Sequence, residues 1–178
     1  MRFRIGRLLL AALAVLAAPA APAAARSAPV TQANMLDRIQ IEDMMVEYYT
    51  LMNEHIRHGM GDYFAENAAL DLNGLRIEGR VAIQHLYENG VDTRIQPSST
   101  YYMLNANPRI VVSGDKAVMD SIWTGYLSDN RYTAPRLVEQ GTEHTTFVKE
   151  NGVWMITGRT LVNKGGMPPS ISGENVGN

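Results

Sequence analysis

The chain has 178 residues, no cysteine and a formal net charge of -2. Those values exclude disulfide scaffolds, thiolate metal centres and cysteine nucleophiles, and they leave no basic excess for gripping a nucleic-acid backbone. With 46% hydrophobic and 19% charged residues the chain is too apolar for intrinsic disorder, so one packed domain is expected.

Residues 1–25 read MRFRIGRLLLAALAVLAAPAAPAAA. Arg2, Arg4 and Arg7 precede a short apolar run from Leu8 to Leu16, and Ala23 with Ala25 supplies a small-residue cleavage pattern, as in a signal peptide. Pro19 and Pro22 interrupt a stretch already short of the roughly 20 apolar residues that a spanning helix needs. Cleavage after Ala25 is therefore expected, with an uncleaved anchor as the alternative. The body would be periplasmic or secreted, with no stable membrane insertion. Residues 26–33 read as an Ala/Pro/Ser linker, 34–164 as the folded domain and 165–178 as a Gly/Pro/Ser-rich flexible tail.

Asn34 is placed to cap a long amphipathic helix carrying Leu36, Ile39, Met44, Tyr48, Leu51 and Met52 on its apolar stripe, with Asp37 near the positive end. Gly59 and Gly61 break it. A short helix over 62–66 leads into a strand at 68–72, Asn73-Gly74 forms a hairpin turn, and a second helix spans 80–88. Strands follow at 99–112, 116–128, 136–149 and 153–162, joined by turn-forming residues. Helices first and long antiparallel strands after predict an α+β domain with helices packed on one face of a curved sheet.

Strand alternation singles out Glu143. In GTEHTTF it puts Glu143, Thr145 and Phe147 on one face and His144 and Thr146 on the other. With Phe147 in the core, Glu143 enters the interior, where lost hydration raises its pKa and suits it to acid/base work near neutrality. With Phe147 against another subunit, Glu143 is a strand-edge residue. Arg136 and Arg159, in strand regions, can anchor an acidic substituent or pair with Glu143. Tyr101 and Tyr102 are adjacent, so only one lines a cavity. Eight tyrosines and ten methionines, Tyr49 and Met52 among them, fit either a flat or bulky apolar ligand or an ordinary core. His55, His58, His85 and His144 form no compact ligand spacing, so no metal is expected; His55 is a candidate base at a pocket rim. There is no phosphate-binding glycine loop and no nucleophile elbow, and no cofactor is expected.

The run DRIQIEDMMVEYYTLMNEHIRHGMGDYFAENAALDLNG resembles the opening of the SnoaL-like branch of the nuclear transport factor two-like superfamily, and GTEHTTFVKENGVWMITGRTLV resembles its closing hairpin. The resemblance covers nearly all of Met35 to Asn163. It implies a cone-shaped α+β barrel, a strongly curved mixed or antiparallel sheet wrapped around the long N-terminal helix, with an apolar pocket inside. It also implies a homodimer or homotrimer whose open sheet face is covered by another copy. Where dehydratase and dehydrochlorinase members place a proton-abstracting Asp and His, this chain has Asn53 and Tyr102, with Tyr101 as the alternative to the latter. Where ketosteroid isomerase members place the phenol and protonated acid of an oxyanion hole, it has Tyr48 and Glu143. The isomerase's proton-shuttling Asp is replaced by Leu72, and Asp71 beside it should face away from the pocket.

Tyr48, Asn53, Tyr102 and Glu143 are thus expected to project into one cavity. The first functional reading is a cofactor-independent lyase on a small hydroxylated aromatic or polycyclic substrate, eliminating water or cleaving a carbon–carbon bond with release of a small carbonyl, as in the family's diarylpropane lyases. The second is an isomerase or cyclase using a Tyr48/Glu143 oxyanion site. The third is a non-catalytic ligand-binding or assembly module.

Overall fold

The computed structural model describes residues 29–90 and 96–166; residues 1–28, with the expected signal segment and the first part of the expected linker, residues 91–95 and the expected tail from residue 167 lie outside them. Helix α1 spans Gln32–Asn53, so it begins before Asn34. Thr31 occupies the cap, and the Asn34 side chain accepts its backbone N–H at 2.8 Å, stitching the first turn from inside the helix. The buried face is Ile41, Met45, Tyr48 and Tyr49, whereas Leu36 and Ile39 are 62% and 47% exposed. At roughly 100° per residue those two lie across the helix from Ile41, so the expected stripe holds only in the later turns. Asp37 also has a different partner from the helix dipole. It accepts from Lys149 Nζ at 2.6 Å and Trp154 Nε1 at 3.1 Å, tying α1 to a distant hairpin.

A single 3-10 turn, Met60–Tyr63, takes the place of the expected short helix, and β1 (Phe64–Leu72) follows at once. The turn into β2 (Leu75–Glu78) has Asn73 at φ 52° and Gly74 at φ 93°, the positive angles a tight hairpin demands. Asp71 closes this turn by accepting the Gly74 N–H at 2.8 Å. Then come α2 (Arg80–Asn89), β3 (Thr100–Ser113), β4 (Lys116–Ser128), β5 (Arg136–Glu150) and β6 (Val153–Gly165).

The strands form one mixed sheet in the order β2-β1-β6-β5-β4-β3, with β1 parallel to β6 and every other pair antiparallel. Register shifts interrupt β1–β6, β3–β4, β4–β5 and β5–β6, the irregularities by which long strands bend. The sheet curves but leaves β2 and β3 as edges, so the cone is open rather than a closed barrel. α1 lies on its inner face, where Ile41, Met45, Tyr48 and Tyr49 join Phe64, Met119, Trp123, Phe147 and Ile156 in one core. Among the described residues no helix is long and apolar enough to cross a membrane.

Candidate active site

Phe147 is 2% exposed, which settles the parity of β5: Glu139, Glu143 and Thr145 point inward with it, and Gln140, Thr142 and His144 point outward. A carboxylate carried inside by alternation needs compensation, and β6 supplies it. Arg159 Nε reaches Glu143 Oε1 at 2.8 Å and a terminal nitrogen reaches Oε2 at 3.1 Å, a two-pronged charge-assisted pair. Thr145 donates to Oε1 at 2.7 Å and the Tyr49 hydroxyl donates to Oε2. The Asn105 amide, which donates to Ser121 Oγ at 2.8 Å, makes longer contacts of 3.3 Å with both Oε2 and the Tyr49 hydroxyl. Arg159 also donates to Tyr49 at 2.7 Å, to Tyr87 at 3.2 Å and to Tyr48, whose hydroxyl is bonded to that of Tyr87.

The electrostatics follow from this geometry. Burial pushes the Glu143 carboxyl upward, but the Arg159 charge and the hydrogen bonds from Arg159, Tyr49 and Thr145 outweigh it and hold the group below its ordinary 4.5. The expectation of a raised pKa is thereby corrected, because alternation reports burial but not the cation buried alongside. Burial drives the Tyr48 and Tyr49 phenols well above their ordinary range against the pull of Arg159, so both are neutral hydroxyls. Burial works against the Arg159 cation too, yet Glu143 and the surrounding phenol oxygens keep it firmly protonated.

A pocket of about 300 Å³ opens beside this network. Met45, Met103, Met119 and Pro108 give it apolar walls, and Tyr49 and Asn105 belong both to it and to the network. Glu143 is not among its walls and meets it through those two side chains.

The sequence-derived candidates therefore divide. Tyr48, Tyr49, Glu143 and Arg159 converge, Phe147 packs in the core, and Met52 packs half-buried against it. Asn53 borders the pocket, but its amide is spent on β3: it donates to the Met103 carbonyl at 3.0 Å and accepts the Met103 N–H at 2.7 Å. Tyr102 is 51% exposed on the outer face, so the expectation that it lines the cavity is wrong. Tyr101 is the inward member of that pair, and its hydroxyl donates to buried Glu139 rather than to Glu143. His55 is exposed just past the end of α1, at φ 57°, and is not a wall of the pocket. Arg136 is exposed too and pairs with Asp129 at 2.9 Å, because it sits at the outer end of β5 beside the preceding loop.

Tyr87, Asn105 and Ser121 went unrecognised in the sequence. Asn105 was legible by parity, since it shares the inner face of β3 with Tyr101 and Met103, whereas Tyr87 reads only as part of the apolar side of α2. Among the described residues no cluster of three or more His, Cys, Asp or Glu could hold a metal ion.

A profile of the SnoaL-like domain matches residues 33–160. No curated protein matches the chain. Among solved structures, a protein of unknown function with a cystatin-like fold from Nostoc punctiforme superposes with a TM-score of 0.63 at 19% identity, covering 75% of this chain and 96% of its own. A candidate scytalone dehydratase from Novosphingobium aromaticivorans gives 0.62 at 22% identity, over 75% of this chain and 88% of that one. A candidate aromatic ring hydroxylase from the same organism gives 0.58 at 20%, over 75% and 92%. Two such different descriptions on one architecture mean that likeness fixes the fold and leaves the activity to the site.

Proposed function

The chain belongs to the SnoaL-like domain family, and from that premise we propose that it is a cofactor-independent lyase that cleaves a carbon–carbon bond in a small hydroxylated aromatic substrate. The observation that carries the reading is the position of the Tyr49 hydroxyl. The Tyr49 side chain lines the pocket, and its hydroxyl donates to the ionised Glu143 carboxylate and accepts from Arg159 at 2.7 Å.

A substrate hydroxyl that reaches Tyr49 passes its proton to the phenol oxygen as the Tyr49 proton moves to Glu143 Oε2. The substrate oxygen then forms a carbonyl while the neighbouring carbon–carbon bond breaks. A small aldehyde such as formaldehyde leaves, and the bonding pair stays on a carbon that the aromatic system stabilises. The proton returns from Glu143 through Tyr49 to that carbon. Arg159 keeps its charge throughout and stabilises the negative charge that develops on the phenol oxygen during the transfer.

Cleavage fits this arrangement better than elimination of water, which needs a base in contact with a C–H bond; Glu143 stands one hydroxyl behind the pocket. The isomerase reading needs a protonated acid at Glu143, and Arg159 works against it. We further propose that the protein acts after export, as the N-terminal segment suggests, and as a homodimer or homotrimer. Exposed Tyr102, Leu104, Ile122 and Val162 on the outer sheet face suit such an interface.

The test is formaldehyde release from a panel of aryl compounds bearing hydroxymethyl groups. Tyr49→Phe should lower single-turnover release a hundredfold or more, in the range typical of general acid/base catalysis, while keeping a folded spectrum. An unimpaired Phe variant removes the relay. No release from any member of the panel would favour a binding module instead.

A further inference from the structure

β3 changes face beside the pocket. Tyr101, Met103 and Asn105 point inward by alternation, but further along the buried residue is Ile110, of the opposite parity. The cause is a bulge. Ala106 stands opposite Ile122 and Arg109 opposite Asp120, so β3 carries one residue more than β4 at this point, with Asn107 at φ 53°. In a regular strand Asn105 and Pro108 would face opposite sides, and the extra residue brings both into the wall of one pocket.

The amide of Asn105 cannot turn over in place. Three groups face its nitrogen: Ser121 Oγ at 2.8 Å, and Glu143 Oε2 and the Tyr49 hydroxyl at 3.3 Å each. An ionised carboxylate only accepts, and the Tyr49 proton is already given to Glu143, so a flipped amide would set oxygen against oxygen. Oδ1 therefore faces away from the network. It takes no hydrogen bond from a described residue, and among those residues the one buried side-chain polar atom without a partner is Trp123 Nε1, so Oδ1 is open to solvent. The other neutral polar side chains of the wall are differently placed. Asn53 spends both ends of its amide on Met103, Thr50 donates to the Val46 carbonyl of its own helix, and the Tyr49 hydroxyl is turned toward Glu143.

We propose that Asn105 Oδ1 is the specificity-determining acceptor of the pocket, taking a hydrogen bond from a ring hydroxyl of the substrate while Met45, Met103, Met119 and Pro108 hold the ring. The ligand class is a single-ring phenol. A volume of about 300 Å³ lies at the low end for small-molecule pockets, and an acceptor locked beside an ionised glutamate favours a group with a proton to give over an ether or a carboxylate. The inference deepens the lyase reading by naming the substrate feature that is selected, and it rests on that reading for the pocket being the substrate site.

Calorimetric titration of the full protein with 4-ethylphenol and 4-ethyltoluene, which differ by one hydroxyl against one methyl, reads binding and not turnover. Asn105→Leu, of similar size and without an acceptor, should lower the preference for the phenol about threefold to tenfold, the size of one neutral hydrogen bond. In Tyr49→Phe the preference should persist, because the hydroxyl is held elsewhere. If Asn105→Leu does not fold, the carbon-13 signal of the Asn105 side-chain carbonyl in the unsubstituted protein decides: it should move downfield with 4-ethylphenol and stay with 4-ethyltoluene. Equal loss of both ligands in Asn105→Leu, a preference that survives it, a preference lost in Tyr49→Phe, or an unmoved carbonyl signal would each overturn the assignment and leave the pocket standing. Binding of neither compound would remove the pocket along with it, whereas failed formaldehyde release beside the expected binding pattern would remove the lyase reading alone.

Discussion

Glu143 and His144 are neighbours on β5, and each holds a partner on an adjacent strand: Arg159 at 2.8 Å for the first, Asp120 at 2.7 Å for the second. The distances are alike and the surroundings are opposite. The inner pair has side chains 0% and 1% exposed, the outer pair 54% and 56%. Outside, water competes for both partners and replaces either one when it is lost. Inside, each charge depends on the other and on the ring of phenols and hydroxyls, because nothing else solvates it. Bond length alone therefore says little about what a polar contact does for this protein.

The largest expected effect comes from splitting the inner pair. Arg159→Met leaves a buried carboxylate without its cation and should cost about 3–5 kcal/mol of stability in urea unfolding. Combining it with Glu143→Leu should recover most of that loss, because apolar replacement of a whole buried pair is commonly neutral or stabilising. A double variant no more stable than the single one would mean that the network carries the fold and is not kept for a site. At the other extreme, His144→Ala should change stability by less than about 1 kcal/mol, and by less still in high salt. A larger loss would show that the outer pair is covered in solution, as by a second copy of the chain.

The same contrast explains what could be read in the sequence. Period-two alternation put Glu143 on the face of Phe147, and turn chemistry placed the Asn73-Gly74 hairpin, since both depend on local rules; that this face is the core is shown by the burial of Phe147. The four long strands fall close to their expected bounds for the same reason. The extent of the buried helix face was less legible: Leu36 and Ile39 are apolar but lie on the side of α1 away from the sheet. Alternation alone could not choose between Tyr101 and Tyr102, and family correspondence favoured the outward one. The pairing of Glu143 with Arg159 joins two strands 16 residues apart, and the Arg159 contact with Tyr48 spans 111. The contact with Tyr48 comes from the packing of α1 on the sheet, which no local pattern encodes; the pair with Glu143 crosses from β5 to β6 and was one of two readings open for Arg159, and on that choice hangs the protonation state of the site.

That protonation state is the centre of the account, and it can be measured directly. A carbon-13 titration of glutamate side chains, with Glu143→Gln assigning the signal, reports the carboxyl itself. The folded-state value lies below the ordinary one, so the stabilisation it gives is complete at neutral pH and is lost only as acid drives the pH down through the folded value. The account predicts a Glu143 signal that stays ionised throughout the neutral range and titrates, if the fold survives, below pH 4.5. A Glu143 carboxyl that takes up its proton near neutrality would contradict it, and would return this residue to the role of a protonated oxyanion donor.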